Sequence, residues 1–313
     1  MNRIQVLQLG PLLPALEKRL AAQYDVHPLW TEADPKAFLA QRGGDFTALV
    51  TSARYGADAA LIAALPKLQA ISSFGVGLDA LDLDAARARG IAVGYTPDVL
   101  NDCVADTAFA LVMDVARRTS AADRFVRRGD WLKGQFPLAT KVSGKRLGIL
   151  GMGRIGRVIA RRASGFDMEV RYHNRNPLND VDYGYEPTLK GLAQWADFMV
   201  VASAGGVDTR GLVSRDILDA LGPEGFLINI SRGTVVDEAA LVDALQHQRI
   251  AGAGLDVFED EPRVPEALLA LDNVVLLPHL ASNTHETRAA MAQRVQENLA
   301  VFLAGKPMVS AAA

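Results

Sequence analysis

The sequence predicts an α/β protein with two parallel sheets sharing one chain, and three observations carry that expectation. Short Val/Ile/Leu runs alternate with Ala/Arg/Leu/Glu stretches of helical period, as in βα units whose sheet is covered on both faces. The 313 residues, 50% of them hydrophobic, exceed the size at which one core stops growing. A long helical pattern at 101–118 separates a first βα series from a second.

The first series reads IQVLQL then PALEKRLAAQ, ALVTS then DAALIAAL, LQAIS then LDLDAARARG, and IAVG. The second has strands near 146–150, 168–172, 198–202, 226–230, 251–255 and 273–277. The stretch HETRAAMAQRVQENLAVFLAG is a final amphipathic helix, capped by the preceding Ser/Asn/Thr cluster, ending at Gly305 and expected to return to the first domain. The terminal SAAA is expected to be disordered.

Composition removes several classes of function. A net charge of -3, with the Arg pairs scattered among acids, gives no reason to expect nucleic acid or an anionic membrane as partner. The one cysteine, Cys103, cannot form an internal disulfide, and no Cys/His cluster has zinc spacing, so no metal is expected and a reducing compartment, the cytoplasm, is. No apolar run approaches the roughly 20 residues of a membrane helix, so the protein reads as soluble.

Gly151, Gly153 and Gly156 form G-x-G-x-x-G directly after a strand, and RIGRVIARRASG continues as a helix expected to close at Gly165. The first glycine permits a tight turn, the second lets backbone approach a pyrophosphate, and the third lets helix pack close to strand. The helix N-terminus presents amides and partial positive charge to phosphate. The ordinary alternative is a tight βα turn whose glycines serve packing alone.

Sites of this kind that bind NAD usually place Asp or Glu at the end of the next strand, to bond the ribose hydroxyls. MEVRYHNRNP instead carries Asn174 and Arg175 there. No carboxylate repels a 2′-phosphate, and a guanidinium matches its oxygens, so NADP is favoured and NAD remains possible.

Three later segments supply chemistry. Arg232 follows a strand in FLINISRGTVVDEAALVDAL, Asp256 and Glu261 follow the next in AGAGLDVFEDEP, and His279 follows the next in NVVLLPHLAS. Singly, Arg232 also reads as a loop cap, Glu259, Asp260 and Glu261 as solvated surface, and His279 as a loop histidine. Together, past three consecutive strand ends where open α/β sheets bind ligands, they read as one site. His27, His173, His247 and His285 read as structural or surface residues, His173 with a place near an adenosine.

GMGRIG, NISRGTVVDEAAL, GLDVFEDEP and LPHLAS, in that order, resemble the D-2-hydroxyacid dehydrogenase family, and VADTAFALVMDVARR with HNR is most similar to its glyoxylate/hydroxypyruvate reductase branch. The resemblance runs from SSFGVGLDALD to the end of the chain. Ala281, where the family often has glycine, and SAGG at 203–206, where many members have a proline-rich stretch, depart from it.

The resemblance implies two Rossmann-like doubly wound domains with a cleft between them: residues 1–98 with 284–313 for substrate, and 99–283 for the dinucleotide. It implies a homodimer through the arm RTSAADRFVRRGDWLKGQFPLATKVSG, and reduction of a small 2-oxo acid by NADPH. The substrate carboxylate would lie on the Gly75, Val76 and Gly77 amides and on Arg232, which also polarises the ketone. His279 would donate the proton, with Glu261 holding its other ring nitrogen and favouring the protonated ring. Expected cofactor contacts are Gly151, Gly153, Arg154, Ile155, Gly156, Asn174, Arg175, Ser203, Ala204, Ile230, Arg232, Asp256 and His279. Asp256 resembles the family's Asp near the nicotinamide amide and reads almost equally as a loop cap.

Competing readings are a corepressor-like nucleotide sensor on the same fold, an NAD-dependent dehydrogenase of another 2-hydroxy acid, a formate dehydrogenase and a methyltransferase. Glu261 argues against the formate enzyme, whose histidine partner is typically an amide. The Arg, Glu and His set gives a methyltransferase no use for it.

Overall fold

The structure, a computed structural model, describes residues 3–312. The chain divides into two compact units, one running to Leu100 and resuming at Thr284, the other spanning Asn101–Asn283.

In the first unit β1 (Gln5–Gln8), α1 (Pro14–Gln23), β2 (Asp25–Pro28), α2 (Pro35–Arg42), β3 (Ala48–Ser52), α3 (Ala59–Ala63), β4 (Ala70–Phe74), α4 (Leu83–Ala88) and β5 (Ala92–Gly94) alternate. The five strands form a parallel sheet of order β2-β1-β3-β4-β5. Aspartates start three of its helices: Asp34, Asp58 and Asp82 accept from the Ala37, Leu61 and Ala85 amides at 3.0, 2.8 and 2.8 Å. Each satisfies an amide that has no partner inside its helix. Leu7, Leu49, Ile71 and Val93 lie in one row across the sheet and bury against Phe46, Ile62 and Leu65. A large apolar side chain buried in this way contributes about 1.5–3 kcal/mol.

The second unit contains α5 (Asn101–Arg117), α6 (Thr119–Arg127), β6 (Arg146–Leu150), α7 (Arg154–Ala163), β7 (Glu169–His173), β8 (Gly184–Tyr185), α8 (Leu189–Trp195), β9 (Phe198–Val201), α9 (Arg215–Leu221), β10 (Phe226–Asn229), α10 (Glu238–Gln246), β11 (Gly252–Leu255), α11 (Glu266–Leu269) and β12 (Val274–Leu276). Its sheet is parallel throughout, with order β12-β11-β10-β9-β6-β7-β8. From β6 the chain builds outward through β7 and β8. From β9 it builds the other way, so the strand order reverses between the adjacent β6 and β9. Ligands of open α/β sheets bind outside the strand ends at such a reversal.

The last helix, α12 (His285–Leu303), belongs to the first unit and packs on β4 and α1. Thr284 caps it by accepting from the Thr287 amide at 3.2 Å, and Gly305 takes the left-handed conformation after it at φ 78°.

Two sequence expectations are corrected. Gly165 does not close α7: the helix passes into a 3₁₀ turn at Ser164–Phe166, and Asp167, at φ 54°, takes the left-handed position. Aspartate tolerates that region better than most side chains, so the stop needed no glycine. The SAAA tail is ordered through Ala312. Ser310 Nα donates to Asn298 Oδ1 at 3.0 Å, Ala312 Nα donates to Val93 O at 2.7 Å, and Ala311 pairs antiparallel with Gly94. Among the described residues no helix is long and apolar enough to cross a membrane, and no group of His, Cys, Asp and Glu is placed to hold a metal ion.

Candidate active site

Because every strand pair of the second unit is parallel, the carboxyl ends of its strands share one edge, and the candidate residues follow those ends. The glycine turn follows β6, Asn174 and Arg175 follow β7, and Ser203 and Ala204 follow β9. Ile230 and Arg232 follow β10, Asp256 and Glu261 follow β11, and His279 follows β12.

The glycine turn is shaped by close approach. A Cβ on Gly151, whose φ is 101°, would lie 2.5 Å from the Ser203 backbone nitrogen, and one on Gly156 would lie 2.2 Å from the Gly151 carbonyl oxygen. Neither position tolerates a side chain. A Cβ on Gly153 would meet nothing within 4 Å, so that glycine faces open space at the start of α7, whose first turn begins with Arg154 and Ile155. Asn174 Oδ1 accepts from the Met152 amide at 2.7 Å, tying the end of β7 to the turn. Among the described residues its Nδ2 has no protein partner, so both Nδ2 hydrogens remain available as donors. Ser203 Oγ is buried and likewise lacks a partner among the described residues. Open space over Gly153, helix-start amides, the unused Asn174 Nδ2 donors and an orphaned Ser203 hydroxyl together fit a dinucleotide. The Arg175 side chain is 90% exposed, with Nη1 3.7 Å from Asp208 Oδ2.

Arg232 is held by a buried asparagine that the sequence reading did not single out. Asn229, 1% exposed, donates from Nδ2 to Arg232 O and accepts from the Ser231 amide, both at 3.0 Å. The Ser231 hydroxyl bonds Ser203 O, linking the turns after β10 and β9. A Cβ on Gly233 would collide with the Phe258 and Glu259 backbone, so the arginine's turn lies directly against the segment leading to Glu261. Ile230 is buried, and Arg232 Nη1 donates to Ser231 O at 2.9 Å.

Glu261 and His279 are hydrogen-bonded, Nδ1 to Oε2 at 2.7 Å, with Glu261 Oε1 accepting from the Phe258 amide at 3.1 Å. Burial by itself would raise the Glu261 carboxyl. The His279 hydrogen bond and charge, the Phe258 amide and the Arg232 charge together hold it below the ordinary glutamate range. The neighbouring acids behave differently: Glu259 pairs with Arg210 at 2.8 Å and Asp260 with Arg263 at 2.7 Å, both on the surface.

His279 has φ 51°, a left-handed backbone that a non-glycine residue holds only when its surroundings impose it. Asp256 imposes it. Fully buried, it accepts the Leu280 amide at 2.7 Å and the Ala281 amide at 3.0 Å, one on each oxygen. The structure thus gives Asp256 the loop-capping role, and both its oxygens are engaged by the chain. Burial raises its carboxyl despite the two amides and the His279 charge.

In the first unit the Gly75-Val76-Gly77 turn follows β4, and one of its three expected ligands is corrected. The Gly75 amide donates to Thr96 Oγ1 at 3.2 Å and is buried, so it is already used. Among the described residues the Val76 and Gly77 amides donate to no protein acceptor. Of the other histidines, His173 ends β7 beside the glycine turn, its carbonyl oxygen accepting the Gly151 amide at 3.0 Å. His173 directs Nδ1 at Glu186 O at 2.8 Å and stacks on Tyr185, and His27 stacks on Phe38. His247 neighbours Asp243 one turn earlier.

The model of the D-isomer specific 2-hydroxyacid dehydrogenase NAD-binding domain matches residues 109–281. Over 310 residues the chain is 47% identical to a hydroxyphenylpyruvate reductase of Plectranthus scutellarioides and 46% identical to a glyoxylate/hydroxypyruvate reductase A of Arabidopsis thaliana, covering 99% of this chain and of each relative. The crystal structure of an NADPH-dependent glyoxylate/hydroxypyruvate reductase from Sinorhizobium meliloti, in complex with NADP and malonate, superposes with a TM-score of 0.92 at 40% identity over 100% of this chain and 97% of that one. With the family model covering more than half the chain, and relatives matching it almost end to end, the chain belongs to the D-isomer specific 2-hydroxyacid dehydrogenase family.

Proposed function

We propose that the protein reduces a small 2-oxo acid, such as glyoxylate or hydroxypyruvate, to the D-2-hydroxy acid at the expense of NADPH, with NADH a weaker donor. The observation that carries this is the His279–Glu261 pair beside Arg232, on the sheet edge that also bears the glycine turn. The names of its relatives support the substrate class, and the NADP-bound neighbour supports the cofactor.

The dinucleotide would be held by the glycine turn and the first residues of α7, by Ser203, Ala204 and Ile230, and by Asn174 and Arg175 at the 2′-phosphate. When bound, NADPH supplies the hydride. Arg232 takes the substrate carboxylate and the ketone oxygen, orienting one and polarising the other. The Val76 and Gly77 amides, which donate to no protein acceptor among the described residues, are the proposed backbone donors for a carboxylate. His279, protonated, gives its Nε2 proton to the ketone oxygen as that oxygen gains charge, and takes it back in the reverse direction. Glu261 fixes the tautomer by holding Nδ1 and balances the positive ring. A corepressor-like sensor would need no proton donor of this kind.

The arm between α5 and β6 exposes apolar side chains, with Trp131 68%, Leu132 94% and Leu138 99% accessible, which supports a homodimer formed through it. The lone cysteine supports a cytoplasmic location.

The deciding experiment is a panel of glyoxylate, hydroxypyruvate, pyruvate, phenylpyruvate and 2-ketogluconate, each with NADPH and NADH. Turnover of the small acids with NADPH preferred is expected. Nucleotide binding without reduction of any member favours the sensor.

A further inference from the structure

Thr96 lies two residues beyond β5 and is wholly buried. Its backbone amide donates to Gly75 O at 2.9 Å, and its hydroxyl oxygen accepts the Gly75 amide at 3.2 Å. One residue therefore satisfies both backbone groups of Gly75. That glycine has φ 149°, and a Cβ on it would lie 2.7 Å from Ala53 Cβ, so its peptide is wedged on one side and bonded on the other. The next two amides, of Val76 and Gly77, are those left without a protein acceptor among the described residues.

Thr96 is itself anchored from behind. The Tyr95 amide donates to Ser310 O at 3.2 Å, and Tyr95 O accepts from Asn298 Nδ2 at 3.1 Å and from Ser310 Oγ at 2.8 Å. The helix α12 and the tail thereby fix the peptide that carries the Thr96 side chain. A valine has the shape for this dry position, so the hydroxyl is the property that distinguishes threonine here.

We infer that Thr96 is a positioning residue for substrate: by holding Gly75 it presets the Val76 and Gly77 amides to receive the carboxylate of the 2-oxo acid. The inference rests on the reductase reading of the site. Donors fixed before the ligand arrives bind it without a reordering cost, so the benefit falls on substrate affinity and leaves the cofactor untouched.

The test compares Thr96→Val and Thr96→Ser with the parent holoenzyme. Thr96→Val leaves the buried Gly75 amide without an acceptor, so the KM for glyoxylate or hydroxypyruvate should rise roughly tenfold. The KM for NADPH should stay at the parental value, and kcat should change far less than the substrate KM. Amide hydrogen exchange in the peptide spanning residues 74–78 should quicken. Thr96→Ser, which keeps the hydroxyl, should restore both the KM and the slow exchange. Should the valine variant fail to fold, Ser310→Ala, which removes one bond to Tyr95 O, should raise the same KM by a smaller factor with the same selectivity.

A parental substrate KM in Thr96→Val, or equal losses toward substrate and NADPH, overturns the inference, as does a serine variant no better than valine. A parent that reduces no 2-oxo acid overturns the functional reading instead, and the exchange measurement separates the two failures.

Discussion

At the scale of single residues the roles proposed for His279 as proton donor and Arg175 as charge partner of the cofactor are the most exposed to test. His279→Asn should lower turnover on the order of 10²-fold or more with NADPH affinity little changed. Glu261→Gln puts a neutral amide in place of the carboxylate that holds His279 Nδ1 at 2.7 Å, so turnover should fall while the NADPH KM holds, and an unchanged kcat argues against the pairing. The acid dependence of stability follows from the Glu261 carboxyl, which the folded protein holds below its ordinary value. A depressed carboxyl gives a stabilising pair that is whole above the unfolded glutamate pKa and lost as pH falls through the lowered value. If Arg175 holds the 2′-phosphate, Arg175→Ala should raise the NADPH KM roughly tenfold and spare NADH. Asn174→Asp keeps an acceptor for the Met152 amide but adds charge, so its kcat/KM ratio should shift toward NADH. Arg232, Glu261 and His279 were legible as a group because each follows a strand end in a regular series. The Gly75–Thr96 bond was not, since it joins positions 21 apart that only the folded first unit brings together.

At the scale of elements the three glycines of the β6–α7 turn separate into two kinds. Gly151→Ala and Gly156→Ala drive a methyl into backbone atoms and should lower the melting temperature by several degrees or prevent folding. Gly153→Ala places its methyl in open space, so the melting temperature should hold while NADPH affinity drops, as expected of a surface reserved for a ligand. Thermal melts paired with cofactor titration check both, and a destabilised Gly153→Ala would return that glycine to a packing role. Most strands were readable from short apolar runs, because a parallel sheet covered on both faces asks for little else, but β2 (DVHP) and β8 (GY), which carry no such run, were not. The helix stop after α7 was not, because Asp167 does there what a sequence reader assigns to the nearest glycine. The Asp256 clamp stayed ambiguous for a similar reason: an acid past a strand end looks the same whether it meets a ligand or the amides of the next loop.

For the whole molecule, βα alternation interrupted by one long helix was enough to read two sheets, and the last helix itself was readable from its length and caps. What the chain does with its exposed arm is a question of association. If Trp131, Leu132 and Leu138 pack against a second copy, light scattering at micromolar concentration should give twice the mass of one 33.5 kDa chain. Leu132→Asp with Leu138→Asp should shift the protein toward monomer. A monomeric mass for the parent would remove the dimer from the reading.

The ordered C-terminus bears on the solubility of the first unit. β5 ends the five-stranded sheet, and an outermost strand presents a row of unpaired amides and carbonyls on which a foreign strand can add. Ala311 pairs with Gly94 and Ala312 bonds Val93, so the last residues cover part of that row with the protein's own chain. Deleting residues 310–313 uncovers it, and light scattering of the shortened protein should then grow with concentration and time while the full chain stays clear.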